Sequence, residues 1–153
     1  KMEPQWFLPT IYLAGSLFYN GAMATNPLIE DRKILVVDDE QSLVNLCLLI
    51  LEQAGYKARG ALSGRQALQM VGDDRPDLIL LDVMMPGMDG IEVCRRIREL
   101  IPEERPYILM YFADDRQYTK NESLNAGATD FISKDTPILD LHGKIKNYFG
   151  ENL

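Results

Sequence analysis

From Arg32 onward, short apolar runs alternate with stretches whose apolar residues recur at helical spacing. Lys33-Ile34-Leu35-Val36-Val37 is continuously apolar, β-branched and followed by acid, the pattern of a strand buried on both faces of a parallel sheet. Residues 41–54 read as a helix with Leu43, Leu46, Cys47, Ile50 and Leu51 on its apolar face and Gly55 at its end. Residues 56–61 form a second strand, and Ser63 can cap a helix carrying Ala67, Leu68 and Val71. A third strand over residues 77–81 delivers Asp82 at its carboxyl end. Residues 85–90 are a turn-rich loop, and the helix after them, 91–101, stops near Pro102. The fourth strand is expected at 107–112, a polar helix at 116–125 closed by Gly127, and the fifth strand at 129–133. The last helix is expected over 137–149, with Thr136 as its cap and Pro137 at its first position. Five strands alternating with five helices predict an α/β, doubly wound parallel sheet of flavodoxin-like type, whose ligands bind beyond the carboxyl ends of the strands.

Residues 1–24 differ from the rest. The apolar and aromatic run from Trp6 to Phe18 is broken by Pro9 and Gly15 and shows no usable period. It is too short for a membrane span, which needs roughly 20 apolar residues. Ala22-Met23-Ala24 mimics a signal-cleavage site, yet the chain begins with Lys1, and Gly21-Ala22-Met23-Ala24 looks like a cloning scar. Residues 1–24 are therefore read as a cloning-derived or disordered extension, with a native extension as the alternative, and 25–153 as the folded domain.

The 153 residues, 46% hydrophobic and 25% charged, suffice for one domain with a real core. A net charge of −7 argues against a nucleic-acid partner held by a basic surface, and suggests that some acids are gathered around a metal. Cys47 and Cys94 have neither metal-site spacing nor a disulfide framework. Both read as reduced core thiols, which fits a cytoplasmic protein.

Asp38, Asp39 and Asp82 end the first and third strands. Neighbouring strands lie about 4.8 Å apart, so these acids must crowd, and a hard cation such as Mg²⁺ or Mn²⁺ relieves the repulsion. The blander reading is that Asp38, Asp39 and Glu40 only favour the start of the first helix; the third acid from another strand argues against it. A carboxylate beside a metal suggests phosphoryl transfer to that carboxylate as an acyl phosphate. Lys134, ending the fifth strand, supplies a positive charge for the remaining oxygens.

Asp38-Asp39, the segment Leu81-Asp82-Val83-Met84-Met85-Pro86-Gly87-Met88-Asp89-Gly90, and Lys134 together resemble the CheY-like receiver domains of two-component response regulators, over about residues 31–150. The resemblance implies that Asp82 is the phosphoacceptor, and that Asp38, Asp39, Asp82 and the Met84 carbonyl hold the metal. It implies that Lys134 pairs with Asp82 or the phosphoryl group, that Phe131 is the aromatic switch residue, and that Met84 and Asp114 flank the path of the hydrolytic water. The expected partners are a histidine kinase or phosphotransfer protein and a downstream protein or output domain, with no direct contact to nucleic acid or membrane. Such a domain is a signalling switch rather than an enzyme, limited to self-phosphorylation and slow autodephosphorylation, and it is either free-standing or part of a longer regulator. Its output would use the surface of the fourth helix, fifth strand and fifth helix.

One position departs from the family pattern. Where most members have Thr or Ser at the end of the fourth strand, this chain has Phe112, followed by Ala113. Phenylalanine offers no hydrogen bond, so only the Ala113 N–H can serve there. Phe112 is a packing substitution, or a sign that the chain signals weakly or without phosphate as a receiver-like binding module, or an engineered or chance mutation. A flavin or nucleotide carrier on the same topology is disfavoured, because Asp-Asp-Glu follows the first strand where phosphate binding needs a loop of backbone donors. His142, the only histidine, lies in the last helix and reads as a surface or packing residue.

Overall fold

The computed structural model describes residues 11–13, 16–19, 22–25, 31–113 and 116–150. Strands β1 (Ile11–Leu13), β2 (Ser16–Tyr19) and β3 (Ala22–Thr25) form an antiparallel sheet in the order β1-β2-β3. The lack of period in this run predicts no element there. The strands correct that expectation.

The five expected strands all form: β4 (Lys33–Val37), β5 (Lys57–Ala61), β6 (Leu78–Asp82), β7 (Tyr107–Phe112) and β8 (Asp130–Ser133). They pair in parallel in the order β5-β4-β6-β7-β8, the doubly wound arrangement expected. Strand alternation divides the core into two layers. Ile34, Val36, Leu80, Leu109 and Ile132 face one side, with helices α1 (Gln41–Gln53) and α5 (Leu141–Lys146). Leu35, Val37, Leu81, Met110 and Phe112 face the other, with α2 (Gly64–Asp73) and α3 (Gly90–Leu100). Helix α4 (Gln117–Asn125) joins this second side through Ala126 at its end.

Two expectations about the helices need correction. Helix α1 buries Val44, Cys47 and Leu51, whereas Leu46 is 43% exposed. The helix carries leucines around most of its circumference, so composition leaves its rotation open. Packing settles it: Val44 sits so close over Gly60 of β5 that a Cβ there would lie 2.4 Å from Val44 Cγ1. The last helix is not continuous over 137–149. A 3₁₀ turn (Ile138–Asp140) precedes α5, and a second (Asn147–Phe149) follows it. Pro137 keeps an extended ψ of 130° outside the first turn, and Thr136 provides no side-chain cap. Gly143, inside the six-residue α5, is a weak helix former. The expected cap of α2 is present, since Ser63 Oγ accepts from the Gln66 N–H; α3 has a cap that was not anticipated, Asp89 Oδ1 accepting from the N–H of Glu92. Among the described residues, no helix is long and apolar enough to cross a membrane.

Candidate functional site

The row of side chains facing α1 and α5 turns polar where the strands end. Two residues beyond Val36, Leu80, Leu109 and Ile132 stand Asp38, Asp82, Tyr111 and Lys134. The period of two keeps each pair on one face. The ladder sets neighbours level, with Val37 opposite Leu81 and Asp82 opposite Tyr111. Apolar residues hold the strands and thereby bring the polar ones together.

Asp38 and Asp82 are only 2% and 3% exposed, while Asp39 is open to solvent. One carboxylate oxygen from each lies within 4.8 Å of those of the other two. Lys134 Nζ donates to Asp38 Oδ2 at 2.9 Å and pairs with Asp82 Oδ1 at 3.1 Å. Asp38 Oδ1 also accepts from the Glu40 N–H at 2.9 Å, and Asp82 Oδ1 from that of Met84 at 3.4 Å. Burial, and then the charge of Asp38, push the Asp82 carboxyl above its usual range, against the pull of Lys134. Burial opposes the charge on Lys134, but its bonds to Asp38 and Asp82 outweigh that and raise its pKa.

Three carboxylates gather around one ammonium, so acidic groups outnumber basic ones at a site where two of the acids are buried. A hard divalent cation supplies the balance, and carboxylate oxygens are its preferred ligands. The donor set therefore fits Mg²⁺ or Mn²⁺.

Gly90 brings the start of α3 onto the acid-bearing strand: a Cβ there would lie 2.0 Å from the Asp82 carbonyl oxygen. Its N–H donates to the Val83 carbonyl at 2.9 Å. Met84, beside the cluster, is 72% exposed.

Phe112 belongs to the opposite core layer. It is 4% exposed, with its ring 6.0 Å from that of half-buried Phe131, and Lys120 Nζ stands 5.2 Å over Phe131. Ala113 is exposed just past the strand end, and Asp114 lies outside the described residues. His142 is remote in role: its ring packs edge-on to Tyr56 at 5.6 Å, and its Nε2 is buried without a partner.

The sequence reading missed Tyr111, whose ring centroid lies 5.4 Å from Lys134 Nζ. Strand alternation carried the signal, since Tyr111 shares a face with Asp82 and Lys134.

A family model described as the response regulator receiver domain matches residues 34–146. The chain is similar to the alkaline phosphatase synthesis transcriptional regulatory protein PhoP of Bacillus subtilis (strain 168), with 40% identity over 119 residues, covering 76% of this chain and 48% of that protein. The chain thus spans about half the length of that curated relative. Among solved structures it resembles the Vibrio cholerae chemotaxis protein CheY4, with a TM-score of 0.72 and 31% identity over 76% of this chain and 98% of the other. It also resembles the BeF3-activated N-terminal receiver domain of Klebsiella pneumoniae RstA, with a TM-score of 0.70 and 29% identity over 77% and 98%.

Proposed function

This chain belongs to the response-regulator receiver domains, and from that premise we propose that it is a phosphorylation switch whose acceptor is Asp82. The observation that carries the reading is the desolvated Asp82, held at a strand end between the Asp38 carboxylate and the Lys134 ammonium. The donor is the phosphohistidine of a histidine kinase or phosphotransfer protein. A carboxylate oxygen of Asp82 attacks phosphorus while the P–N bond breaks. The imidazole leaves with the bonding pair and takes up a proton, and Asp82 becomes an acyl phosphate. Asp38, Asp39, Asp82 and the Met84 carbonyl are the groups that would hold Mg²⁺ or Mn²⁺. When bound, that cation neutralises charge on the phosphoryl oxygens and orients them. Lys134, already 3.1 Å from Asp82, pairs with a further oxygen. Slow hydrolysis resets the switch, and its output passes to a downstream protein or output domain through the surface of α4, β8 and α5.

Phe112 favours a second reading, in which partner binding does not depend on phosphate. Its ring is committed to the core and to Phe131, and it supplies no hydroxyl at the strand end. A missing hydrogen bond to a charged group is worth about 1.5–3 kcal/mol, enough to weaken an active state without preventing acceptance.

Intact-mass measurement after incubation with acetyl phosphate and Mg²⁺, on the wild type beside Asp82→Asn and Phe112→Thr, tests both. A single phosphoryl mass gain that needs Mg²⁺ and Asp82 supports the switch, and a higher yield in Phe112→Thr measures the cost of the aromatic residue. No gain in the wild type with a clear gain in Phe112→Thr would favour the binding module.

A further inference from the structure

Lys134 reaches its two carboxylates across the sheet rather than beside them. It follows β8, while Asp82 ends β6 and Asp38 follows β4, so the end of β7 lies in between. From β8 to β4 is three strand spacings, about 14 Å. The lysine and aspartate side chains close that gap from opposite sides, with the flexible lysine stem passing the end of β7. Its backbone is tied to β7 by the Lys134 N–H donating to the Phe112 carbonyl at 2.9 Å. Its charged end then stands over the ring of Tyr111, the last β7 residue on this face.

Tyr111 is held as firmly as the acids. It is 5% exposed, packed in the α1 and α5 core layer and level with Asp82 in the ladder. Its carbonyl accepts from the Val83 N–H at 3.3 Å, which ties the tyrosine main chain to the residue after the acceptor. A cation within about 6 Å of an aromatic centroid is attracted to the ring face, more strongly where water is scarce. An aliphatic residue at 111 could fill the same core space without that attraction.

We infer that Tyr111 is a positioning residue: its ring is the floor that holds the Lys134 ammonium between Asp38 and Asp82. The same floor keeps the ammonium at the site when it exchanges a carboxylate partner for a phosphoryl oxygen. That functional consequence rests on the reading of Asp82 as acceptor, whereas the placement of Lys134 does not.

The placement is read directly from the NMR shifts of the Lys134 ε-methylene protons in the full chain, because a ring beneath them moves them upfield. An upfield shift in the wild type that persists in Tyr111→Phe and collapses in Tyr111→Leu supports the inference. In parallel, the rate of labelling by acetyl phosphate with Mg²⁺ should fall about two- to thirtyfold in Tyr111→Leu and recover in Tyr111→Phe. Random-coil shifts for Lys134 in the wild type overturn the inference, and this outcome needs no variant to fold. So does a folded Tyr111→Leu whose Lys134 shifts match the wild type. A chain that shows the upfield shift but accepts no phosphoryl group, either as wild type or as Phe112→Thr, instead refutes Asp82 as acceptor and leaves the placement standing.

Discussion

Substituting Gly90 by alanine tests whether the start of α3 is seated on the strand that carries Asp82. An ideal Cβ at this position lies 2.0 Å from the Asp82 carbonyl oxygen, 2.8 Å from its carbonyl carbon and 2.9 Å from Val83 Cα. All three neighbours are backbone, so no side-chain rotation relieves the contact. The helix must back away from the strand by about 1 Å before the closest pair reaches 3.0 Å. That movement stretches the 2.9 Å bond from the Gly90 N–H to the Val83 carbonyl. Overpacking of this kind costs about 1–3 kcal/mol, and at about 2–4 °C per kcal/mol the melting temperature should drop by several degrees. Gly72 of α2 is the control, since a Cβ there meets nothing within 4 Å. Gly72→Ala should stabilise by about 0.5–1 kcal/mol through the helix preference of alanine. Urea unfolding of the full chain, followed by circular dichroism, measures both variants. Acetyl phosphate labelling should also slow in Gly90→Ala, because the displaced main chain carries the Asp82 carboxylate. A Gly90→Ala chain within about 0.5 kcal/mol of the wild type, the scatter of neutral surface changes, would refute the packing argument.

Three further expectations follow from other parts of the molecule. Mg²⁺ at a hundredfold excess over its Kd should stabilise the wild type by about 2.7 kcal/mol, and Asp38→Asn should remove most of that gain; thermal melts with and without Mg²⁺ decide it. Burial pushes the thiols of Cys47 and Cys94 up to about 11, so iodoacetamide at neutral pH should leave the folded chain unmodified and label both after denaturation, as read by intact mass. Burial, and then Lys146, hold His142 below its ordinary value of 6.5. The unfolded chain therefore takes up this proton first, and the contribution to instability is absent above about 6.5 and grows as the pH falls towards the depressed folded value. His142→Phe, which retains a ring against Tyr56, should flatten that part of a stability–pH profile; an unchanged profile would remove His142 as its cause.

The strands and the acidic cluster were legible in the sequence because one pattern encodes both. A parallel strand covered on both faces must be apolar throughout, so the first acid after such a run marks its carboxyl end, as Asp38 and Asp82 do. Features set by contact between elements were less legible. The rotation of α1 depends on Val44 meeting Gly60, which no periodicity within α1 records. The break in the last helix reflects Pro137 staying extended and a glycine at 143, whereas the proline alone suggested a helix start. Lys134 was expected to pair with Asp82 or the phosphoryl group, and the structure adds Asp38 at 2.9 Å. Tyr111 was passed over because an aromatic in an apolar strand satisfies the core pattern by itself; its second contact is visible only once the strands are laid side by side.

On the proposed chemistry, the alternation that builds the core also separates acceptance from readout. Asp38, Asp82, Tyr111 and Lys134 continue the row that packs against α1 and α5, whereas Phe112 continues the row beneath α2 and α3 and touches Phe131. Replacing a hydroxyl-bearing residue by phenylalanine at 112 thus leaves the acids and the lysine with every contact they make to one another. What changes is the connection between the strand end and Phe131, now two rings 6.0 Å apart rather than a hydroxyl beside a ring. On the proposed chemistry, Phe112→Thr should therefore act on the output surface more than on the labelling of Asp82. Amide shifts across α4, β8 and α5 should respond to phosphorylation more strongly in Phe112→Thr than in the wild type. An equal response in both chains would show that Phe131 moves without a hydroxyl partner, and that the aromatic residue at 112 is a packing substitution.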